Sequence, residues 1–240
     1  ERGKIKLEIN SNRKLFFKYL ILMGISLFLG TYLQQAALQY TNIANAAFFT
    51  VFYVPLVPIL LFFIYSTKVH WSIWPSIGLC IIGVYLLSDF SNSEIMIGDA
   101  LVILCSLFWA LHIIFAGKFM EKFNIPIFYA ALQAALVFTL SIFFATFLEE
   151  IVITKILMEY SSILYAGVLS GGIAFTLQMF AQKNIEETPA AIIYSLEGVF
   201  ATIAGWVILS QILNINNIIG CILILIAVIF SQVSPTAKKL

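Results

Sequence analysis

The first candidate for chemistry is a single acid inside a long apolar stretch of the sequence. Glu197 lies in Ala190-Ala-Ile-Ile-Tyr-Ser-Leu-Glu-Gly-Val-Phe-Ala-Thr-Ile-Ala-Gly205, which contains no lysine or arginine. If the stretch is helical, Tyr194 lies on the same face as Glu197, because residues three and four apart are neighbours on a helix. A carboxylate in such surroundings predicts binding of a substrate or a proton. The alternative is a protonated Glu197 that hydrogen-bonds to a neighbouring helix.

An internal repeat adds further polar candidates. Residues 33–47 and 177–191 share five identities at an offset of 144 positions (177 minus 33): Leu33, Gln34, Ala37, Ala46 and Ala47 match Leu177, Gln178, Ala181, Ala190 and Ala191. At the same offset, Glu197 corresponds to Tyr53. We predict that these paired polar positions and one tyrosine line a single pocket: Gln34, Tyr53, Gln178, Tyr194 and Glu197. For the two glutamines, hydrogen bonding between helices is the alternative.

Trp109 and His112 are a third set of candidates. His112 follows Trp109 by three positions, so both lie on one face of a predicted helix. A ligand-binding or proton-relay role for His112 is one interpretation, and a histidine satisfied within the core is the favoured alternative. Neither a metal site nor a cofactor is predicted, because the three cysteines all lie in apolar runs and are interpreted as core residues: Cys80, Cys105 and Cys221.

Composition indicates that helices in a membrane position these residues. The chain is 62% hydrophobic and 10% charged, with a mean hydropathy of +1.02, whereas a soluble domain is about half apolar and about a quarter charged. The sequence therefore predicts an all-α integral membrane protein whose surroundings are a lipid bilayer. The net charge is +1, and the charges fall in short connections rather than on one basic face, so no nucleic-acid partner is predicted.

Eight segments are long and apolar enough to span a bilayer, which takes about 17–25 residues. They lie near 16–38, 44–65, 71–88, 97–117, 125–147, 160–182, 189–210 and 214–233. Of the twelve acids, we predict that only Glu197 lies deep in a span, because Asp99 falls at a helix start and the others in connections or tails. In the sixth span, three small residues predict a face for close helix packing: Gly167, Gly171 and Gly172.

The distribution of basic residues predicts the orientation of these spans. Threading eight antiparallel helices places twelve of the thirteen lysines and arginines on one side, and only Lys155 on the other. The positive-inside rule makes the rich side cytoplasmic. We therefore predict a multi-pass protein of the plasma (inner) membrane with both termini in the cytoplasm.

The repeat predicts a particular architecture. Its copies occupy spans one to three and six to eight, and because five helices separate equivalent positions, the copies enter the membrane from opposite sides. Spans four and five extend the unit to five helices. We expect a ten-helix fold of two inverted five-helix repeats, of which this chain has eight helices and lacks the first two. The predicted divisions are an incomplete first repeat at 1–90 with a basic N-terminal segment, a complete second repeat at 97–233, and a cytoplasmic tail at 234–240.

Three motifs, in this order, resemble those of one family. Gly98-Asp-Ala-Leu-Val-Ile-Leu-Cys-Ser-Leu-Phe-Trp-Ala-Leu-His112 is similar to the opening helix of an EamA domain. Residues 45–58 and 188–201 resemble the fourth and ninth helices of EamA-type members of the drug/metabolite transporter superfamily. The resemblance implies ten helices in two inverted repeats and a central cavity to which the first helix contributes. One departure is Leu196-Glu197-Gly198, where the family commonly has Leu-Glu-Pro.

These observations predict a secondary active transporter. Its expected substrates are small organic metabolites such as amino acids, with export as the expected direction, alternating access as the mechanism and proton coupling through Glu197. The alternative is a truncated, non-transporting membrane remnant or assembly component. An enzyme is not predicted, because the sequence has neither a His-Glu-x-x-His motif nor paired intramembrane aspartates, and no Walker A motif suggests ATP coupling. Association into a homo-oligomer, substrate identity and the coupling ion stay open.

Overall fold

The computed structural model describes residues 12–88, 94–210 and 212–233. The predicted tail at 234–240 and most of the basic N-terminal segment lie outside these residues. The regular elements of the described chain are helices: α1 (Arg13–Ala37), α2 (Ile43–Thr50), α3 (Tyr53–Tyr65), α4 (Ile73–Leu87), α5 (Ile97–Phe123), α6 (Pro126–Leu148), α7 (Ile153–Met158), α8 (Tyr160–Leu164), a π-helix (Tyr165–Ala174), α9 (Phe175–Gln182), α10 (Glu187–Tyr194), α11 (Leu196–Leu209) and α12 (Ile215–Val233).

Apolar helices of membrane-spanning length dominate this arrangement. Within the described residues, seven helical segments are long and apolar enough to cross a bilayer, which agrees with an integral membrane protein. The predicted third span forms α4, which has 15 residues and is shorter than the roughly 17 that a perpendicular crossing needs. The short helix α7 was not expected, because its residues were assigned to a connection.

The chain forms two compact units. The first takes in the described residues within Glu1–Phe28 and Phe115–Asn184, and the second those within Leu29–Ile114 and Ile185–Leu240. These units are defined by spatial contacts and differ from the predicted repeats at 1–90 and 97–233, which are defined by sequence similarity. Helices α1 and α5 each contribute residues to both units.

Aromatic packing organises the first unit. Phe16 of α1 meets Phe119 of α5 edge-on, with 5.4 Å between ring centroids, and Phe119 stacks on Tyr129 of α6. The sequence predicted that this helix ends near residue 117, but α5 continues to Phe123. The contacts of Phe119 lie in this additional part of the helix. It ends before Asn124, whose φ of 44° is left-handed, and Pro126 begins α6. Asn after a helix and Pro at a helix start are both favourable arrangements.

The predicted close packing of the glycines in the sixth span is wrong. This segment is a π-helix, and a Cβ added at Gly167 would meet nothing within 4 Å. A Cβ added at Gly171 would lie 3.4 Å from the backbone oxygen of Ala166, and one added at Gly172 would lie 3.6 Å from that of Gly167, both in the same segment. Small residues permit close approach, but no neighbouring helix uses these positions.

In the second unit, α4 and α12 cross with their backbones in close contact. A Cβ on Gly220 would lie 2.6 Å from the carbonyl oxygen of Gly83, and a Cβ on Gly83 would lie 2.9 Å from that of Gly220. Asn217 also donates a hydrogen bond from Nδ2 to the Leu87 carbonyl oxygen at 3.1 Å. This bond satisfies a carbonyl at the end of α4 that has no partner within the helix.

Gly98 and Asp99 fix the start of α5 against the connection between α1 and α2. Asp99 is 2% exposed, and it accepts hydrogen bonds from the Thr41 hydroxyl and from Asn45 Nδ2 at 2.8 Å. A Cβ on Gly98 would lie 2.6 Å from the carbonyl carbon of Tyr40. The Gly-Asp pair that resembles a family motif therefore has a structural role, since it provides both the close approach and the acceptor.

Candidate functional site

Two apolar segments of the second unit are each broken into two short helices. The first break lies at residues 51–52, between α2 and α3, and the second lies at Ser195, between α10 and α11. The bounds of the four helices follow the offset found in the sequence. Adding 144 to Ile43 and Thr50 gives Glu187 and Tyr194, the bounds of α10. Adding 144 to Tyr65 gives the last residue of α11.

Proline causes the first break. Pro55 has no N–H and cannot donate to the Val51 carbonyl, its partner in a continuous α-helix. Val54 N donates to that carbonyl oxygen instead, at 2.9 Å, in a tighter three-residue turn. Pro58 removes a second donor one turn further on. The chain therefore turns at residues 51–52 and starts a new helix with Tyr53 as its first residue.

The second break has no proline. Gly198 N donates to the Ser195 carbonyl oxygen at 3.2 Å, again across three residues, and the Ser195 hydroxyl donates to the Ile192 carbonyl oxygen at 2.6 Å. A Cβ on Gly198 would lie 3.0 Å from Leu87 Cδ2. The helix is therefore interrupted beside Leu-Glu-Gly although the proline common in the family is absent, and glycine also lets this helix approach α4 closely.

Three predicted site residues lie at the two breaks, and α10 packs against α3. Tyr53 begins α3, Tyr194 ends α10, and Glu197 is the second residue of α11. Tyr194 and Glu197 lie within electrostatic range of the Tyr53 hydroxyl. Neither tyrosine hydroxyl has a hydrogen-bond partner among the residues described. About nine in ten buried polar groups are hydrogen-bonded in proteins, so two unpartnered hydroxyls at the breaks make this region the candidate site.

Helix α4 contributes two residues that the sequence did not single out. Cys80 lies within electrostatic range of Tyr53 and beside Ser195. Ser76 precedes Cys80 by one turn on the same face; it is fully buried, and its hydroxyl has no partner in the described chain. Their spacing of four residues predicts that Ser76 and Cys80 share one helix face. Because the residues around them are apolar, nothing else in the sequence distinguishes them from core residues.

Glu197 differs from the expected buried acid. Its side chain is exposed, although protein atoms crowd around the carboxyl. Glu197 forms no hydrogen bond or ion pair with any described residue. The acids that are buried from solvent are Asp99, at 2% exposed, and Glu187, at 4%, and both lie in the first turn of their helices. The depth of Glu197 within its membrane span stays a prediction.

Gln34 reaches the first break from α1. Its Nε2 donates to the Thr50 hydroxyl at 3.3 Å, and that hydroxyl donates to the Ala46 carbonyl oxygen at 2.6 Å. Thr50 is the last residue of α2 and corresponds to Tyr194 at the 144-residue offset. The 144-residue offset from Tyr194 is the sequence signal that identifies Thr50.

Gln178 lies in the first compact unit, on α9. Its Nε2 is 3.5 Å from Oε1 of Gln182, one turn further along the same helix. The bond is therefore within one helix rather than between two. A place for Gln178 in the same pocket as Gln34 stays a prediction.

Trp109 and His112 form a pair on α5. Their ring centroids are 6.1 Å apart with the rings nearly perpendicular. His112 is fully buried, and Trp109 packs on Gly30, where an added Cβ would lie 3.5 Å from the indole ring. This burial matches the interpretation of His112 as a core residue, and a relay or ligand role stays a prediction.

Comparison with known proteins gives a consistent result. The family model described as EamA-like transporter family matches residues 3–89 and 96–232. A protein of Archaeoglobus fulgidus, described as an uncharacterized transporter, is 35% identical over 210 residues, which are 86% of this chain and 66% of that protein. The chain thus spans slightly less than two thirds of this relative's length.

A solved crystal structure shares the fold. It aligns with a TM-score of 0.73 at 16% sequence identity, over 88% of this chain and 76% of its own. At that identity the similarity concerns the backbone arrangement alone.

Proposed function

The chain belongs to the EamA-like transporter family, and from this premise we propose that it is a secondary active transporter of small organic metabolites that works by alternating access. The observation that carries the proposal is the pair of broken helices in corresponding positions, with unpartnered polar groups at their breaks. Secondary transporters commonly bind substrate near mid-membrane, at helices interrupted in both repeats. Amino acids and related compounds are the proposed substrates, and export is the proposed direction.

An inverted repeat is part of this proposal. Three observations support it: the helix bounds that recur at the 144-residue offset, the crossing of α4 with its counterpart α12 at Gly83 and Gly220, and the match of the family model to two successive segments, 3–89 and 96–232. In such an architecture, rocking of one repeat against the other exposes the site alternately to the two faces of the membrane.

Each residue at the breaks has a proposed role. Glu197 takes up and releases the coupling proton, because it is a carboxylate within a spanning segment and lacks a protein partner. The hydroxyls of Tyr53 and Tyr194 hydrogen-bond to the substrate. Gln34 holds Thr50 at the end of α2 and so positions the first break.

Transport in proteoliposomes tests the proposal. Vesicles containing the protein, with an imposed pH gradient and a panel of amino acids and related amines, should show solute movement that collapses when the gradient is removed. We expect Glu197→Gln to abolish gradient-driven movement, because the amide cannot carry the proton. Glu150→Gln, which changes an exposed acid in the connection after α6, is the matched control and should transport like wild type.

Two results would count against this function. Gradient-driven movement that is unchanged in Glu197→Gln would exclude coupling through this carboxylate. No movement of any solute by the folded wild-type protein would favour the alternative, a non-transporting membrane component.

A further inference from the structure

The short helix α7 is not stabilised by packing against the rest of the described chain. It has six residues, Ile153–Met158, and none of them is buried. An isolated helix shorter than about 12–15 residues is marginal in water, and Val152, which precedes α7, provides no side-chain cap. Contacts within the described chain therefore do not explain why this segment is helical.

The large aliphatic residues of α7 form one face of the helix. Ile153, Ile156 and Leu157 have the i, i+3, i+4 spacing that places side chains on the same side, and they are 66%, 47% and 65% exposed. Lys155 lies on the opposite side, with Met158 beside it. Helix α7 thus has an uncovered apolar face, made of Ile153, Ile156 and Leu157, and a charged residue opposite to it.

Membrane spans flank α7 closely on both sides. Helix α6 ends at Leu148, and the next span is Tyr160–Gln182. The four residues 149–152 reach at most about 14 Å when extended, and Glu159 alone separates α7 from the following span. The polar region on each side of the hydrocarbon core is about 5–8 Å thick. These short connections keep α7 at the surface of the bilayer.

The helix is interrupted between α7 and the span that follows. Glu159 has φ −100° and ψ 18°, which lies outside the right-handed α-helical region. Its N–H donates to the carbonyl oxygens of Lys155 and Ile156, at 3.3 and 3.2 Å. Helix α7 is therefore a separate element rather than an extension of the span into water.

Charged residues keep α7 out of the hydrocarbon core. Glu149 and Glu150 precede it, Lys155 lies within it and Glu159 follows it, and all four are exposed. Charges are costly inside a bilayer, whereas a position in water would leave the apolar face of α7 hydrated. A helix that lies in the interface avoids both costs, because its apolar face enters the boundary between headgroups and acyl chains while its polar face stays hydrated.

We propose that α7 is an interfacial helix that binds the phospholipid surface of the bilayer through Ile153, Ile156 and Leu157. The lipid supplies the apolar contact that the described chain does not. Tyr160, 63% exposed at the start of the next span, extends the same surface, since tyrosine is enriched at this depth. The inference does not depend on the proposed function, because it uses only the positions of two spans and the apolar face of α7.

Depth measurements with spin labels test the proposal. In a version with the three native cysteines replaced, a nitroxide is attached to Ile153→Cys, Ile156→Cys, Leu157→Cys or Lys155→Cys, and the protein is reconstituted in phosphatidylcholine vesicles. Oxygen concentrates in the bilayer and a nickel chelate stays in water. Collisions with oxygen should dominate at the three positions of the apolar face, and collisions with the chelate should dominate at Lys155→Cys.

Two further labels calibrate the depth scale. Phe143→Cys, on an exposed position of α6, is the reference for the hydrocarbon core, and Lys68→Cys, in the connection between α3 and α4, is the reference for water. We expect the labels on the apolar face of α7 to give depths between these two references.

Hydrogen exchange tests whether lipid contact holds α7 in its helical form. The measured amides are those of residues 156–159, which are bonded within this turn of helix. In vesicles, Leu157→Asn should exchange at these amides about tenfold faster than wild type, because it removes one aliphatic side chain from an apolar environment. Thr154→Asn introduces the same residue outside the apolar face and should exchange like wild type. Unchanged exchange in α4 shows that each variant is folded.

Three results would overturn the inference. Labels at all four positions of α7 that favour the chelate would mean that α7 projects into water. Labels on the apolar face that neither reagent reaches would mean that protein covers this face, either a second copy or another segment. Equal exchange in Leu157→Asn and Thr154→Asn would mean that the apolar face does not stabilise the helix. Each of these results leaves the proposed transport function untouched, since the vesicle transport assay measures it separately.

Discussion

At the scale of single residues, two acids of the second unit, Asp99 and Glu197, differ in the hydrogen-bond donors around them. Asp99 is buried, and the Thr41 hydroxyl, Asn45 Nδ2 and the Met96 N–H all donate to it. A carboxylate satisfied by donors holds the backbone in place and has little capacity left for a ligand. Glu197 is exposed and has no such donors. The sequence alone shows two acids near apolar runs and cannot show this difference, which depends on the residues that fold around each.

Tyr53→Phe tests the role of an unpartnered hydroxyl. Because that hydroxyl has no protein partner in the described chain, its removal should change the free energy of unfolding by less than about 1 kcal/mol. Substrate affinity should fall by about threefold to tenfold, the equivalent of one hydrogen bond. Thermal unfolding and calorimetric titration measure the two effects.

Tyr40→Phe is the control for this variant. Tyr40 is 54% exposed in the connection after α1, so its substitution should change neither stability nor affinity. If Tyr53→Phe binds substrate like wild type, or if it unfolds far more easily, the hydroxyl has a structural partner and the assignment is contradicted.

At the scale of helices, the sequence predicts those features that depend on local residues, and it does not predict those that depend on contacts between helices. Apolar runs identified all the long helices, because burial in lipid needs about 20 apolar residues in a row. Pro55 predicts an interruption of its helix, since a proline removes a defined hydrogen bond. The break at Ser195 has no such local signal, as it is formed by hydroxyl and glycine contacts with α10 and α4. The π-helix is equally invisible in composition.

The crossing of α4 and α12 gives a prediction about stability. Gly83→Ala should destabilise the protein by about 1–3 kcal/mol, the usual range for overpacking a tight contact, because its Cβ would lie 2.7 Å from Ile224 Cγ1 and 2.9 Å from the Gly220 carbonyl oxygen. Thermal unfolding in detergent measures the change.

Gly78→Ala is a matched control on the same helix. An added Cβ there meets nothing within 4 Å, so this substitution should be neutral or stabilise α4 by up to about 1 kcal/mol through helix propensity. Equal effects of the two substitutions would mean that α4 and α12 do not meet closely at Gly83.

At the scale of the whole molecule, the two predicted repeats place different chemistry in corresponding positions. Tyr53 and Glu197 are equivalent at the 144-residue offset, and so are Thr50 and Tyr194. Backbone breaks are therefore common to both copies, and of these four positions Glu197 alone carries a carboxylate. The repeat could be predicted from five identities, and Pro55 is a local signal for the first break, but the break at Ser195 could not be predicted because it depends on tertiary contacts. The predicted relation of Gln34 to Gln178 concerns different compact units and stays a prediction.

Labelling of introduced cysteines tests the proposed orientation. In a version with the three native cysteines replaced, a membrane-impermeant maleimide should label Lys68→Cys from the cytoplasmic face and Lys155→Cys from the opposite face. Both positions are exposed and lie outside the long helices, so the variants should fold. Labelling of both from one face would contradict the proposed topology.

The most direct measurement of the central claim is an experimental structure of the protein with a compound that it transports from the panel of amino acids and related amines. The account predicts ligand density between the broken helices, with a polar atom of the ligand within about 2.7–3.2 Å of the hydroxyl oxygen of Tyr53 or Tyr194. Ligand density at any other place, with Glu197 turned toward lipid and no contact to the ligand, would contradict it.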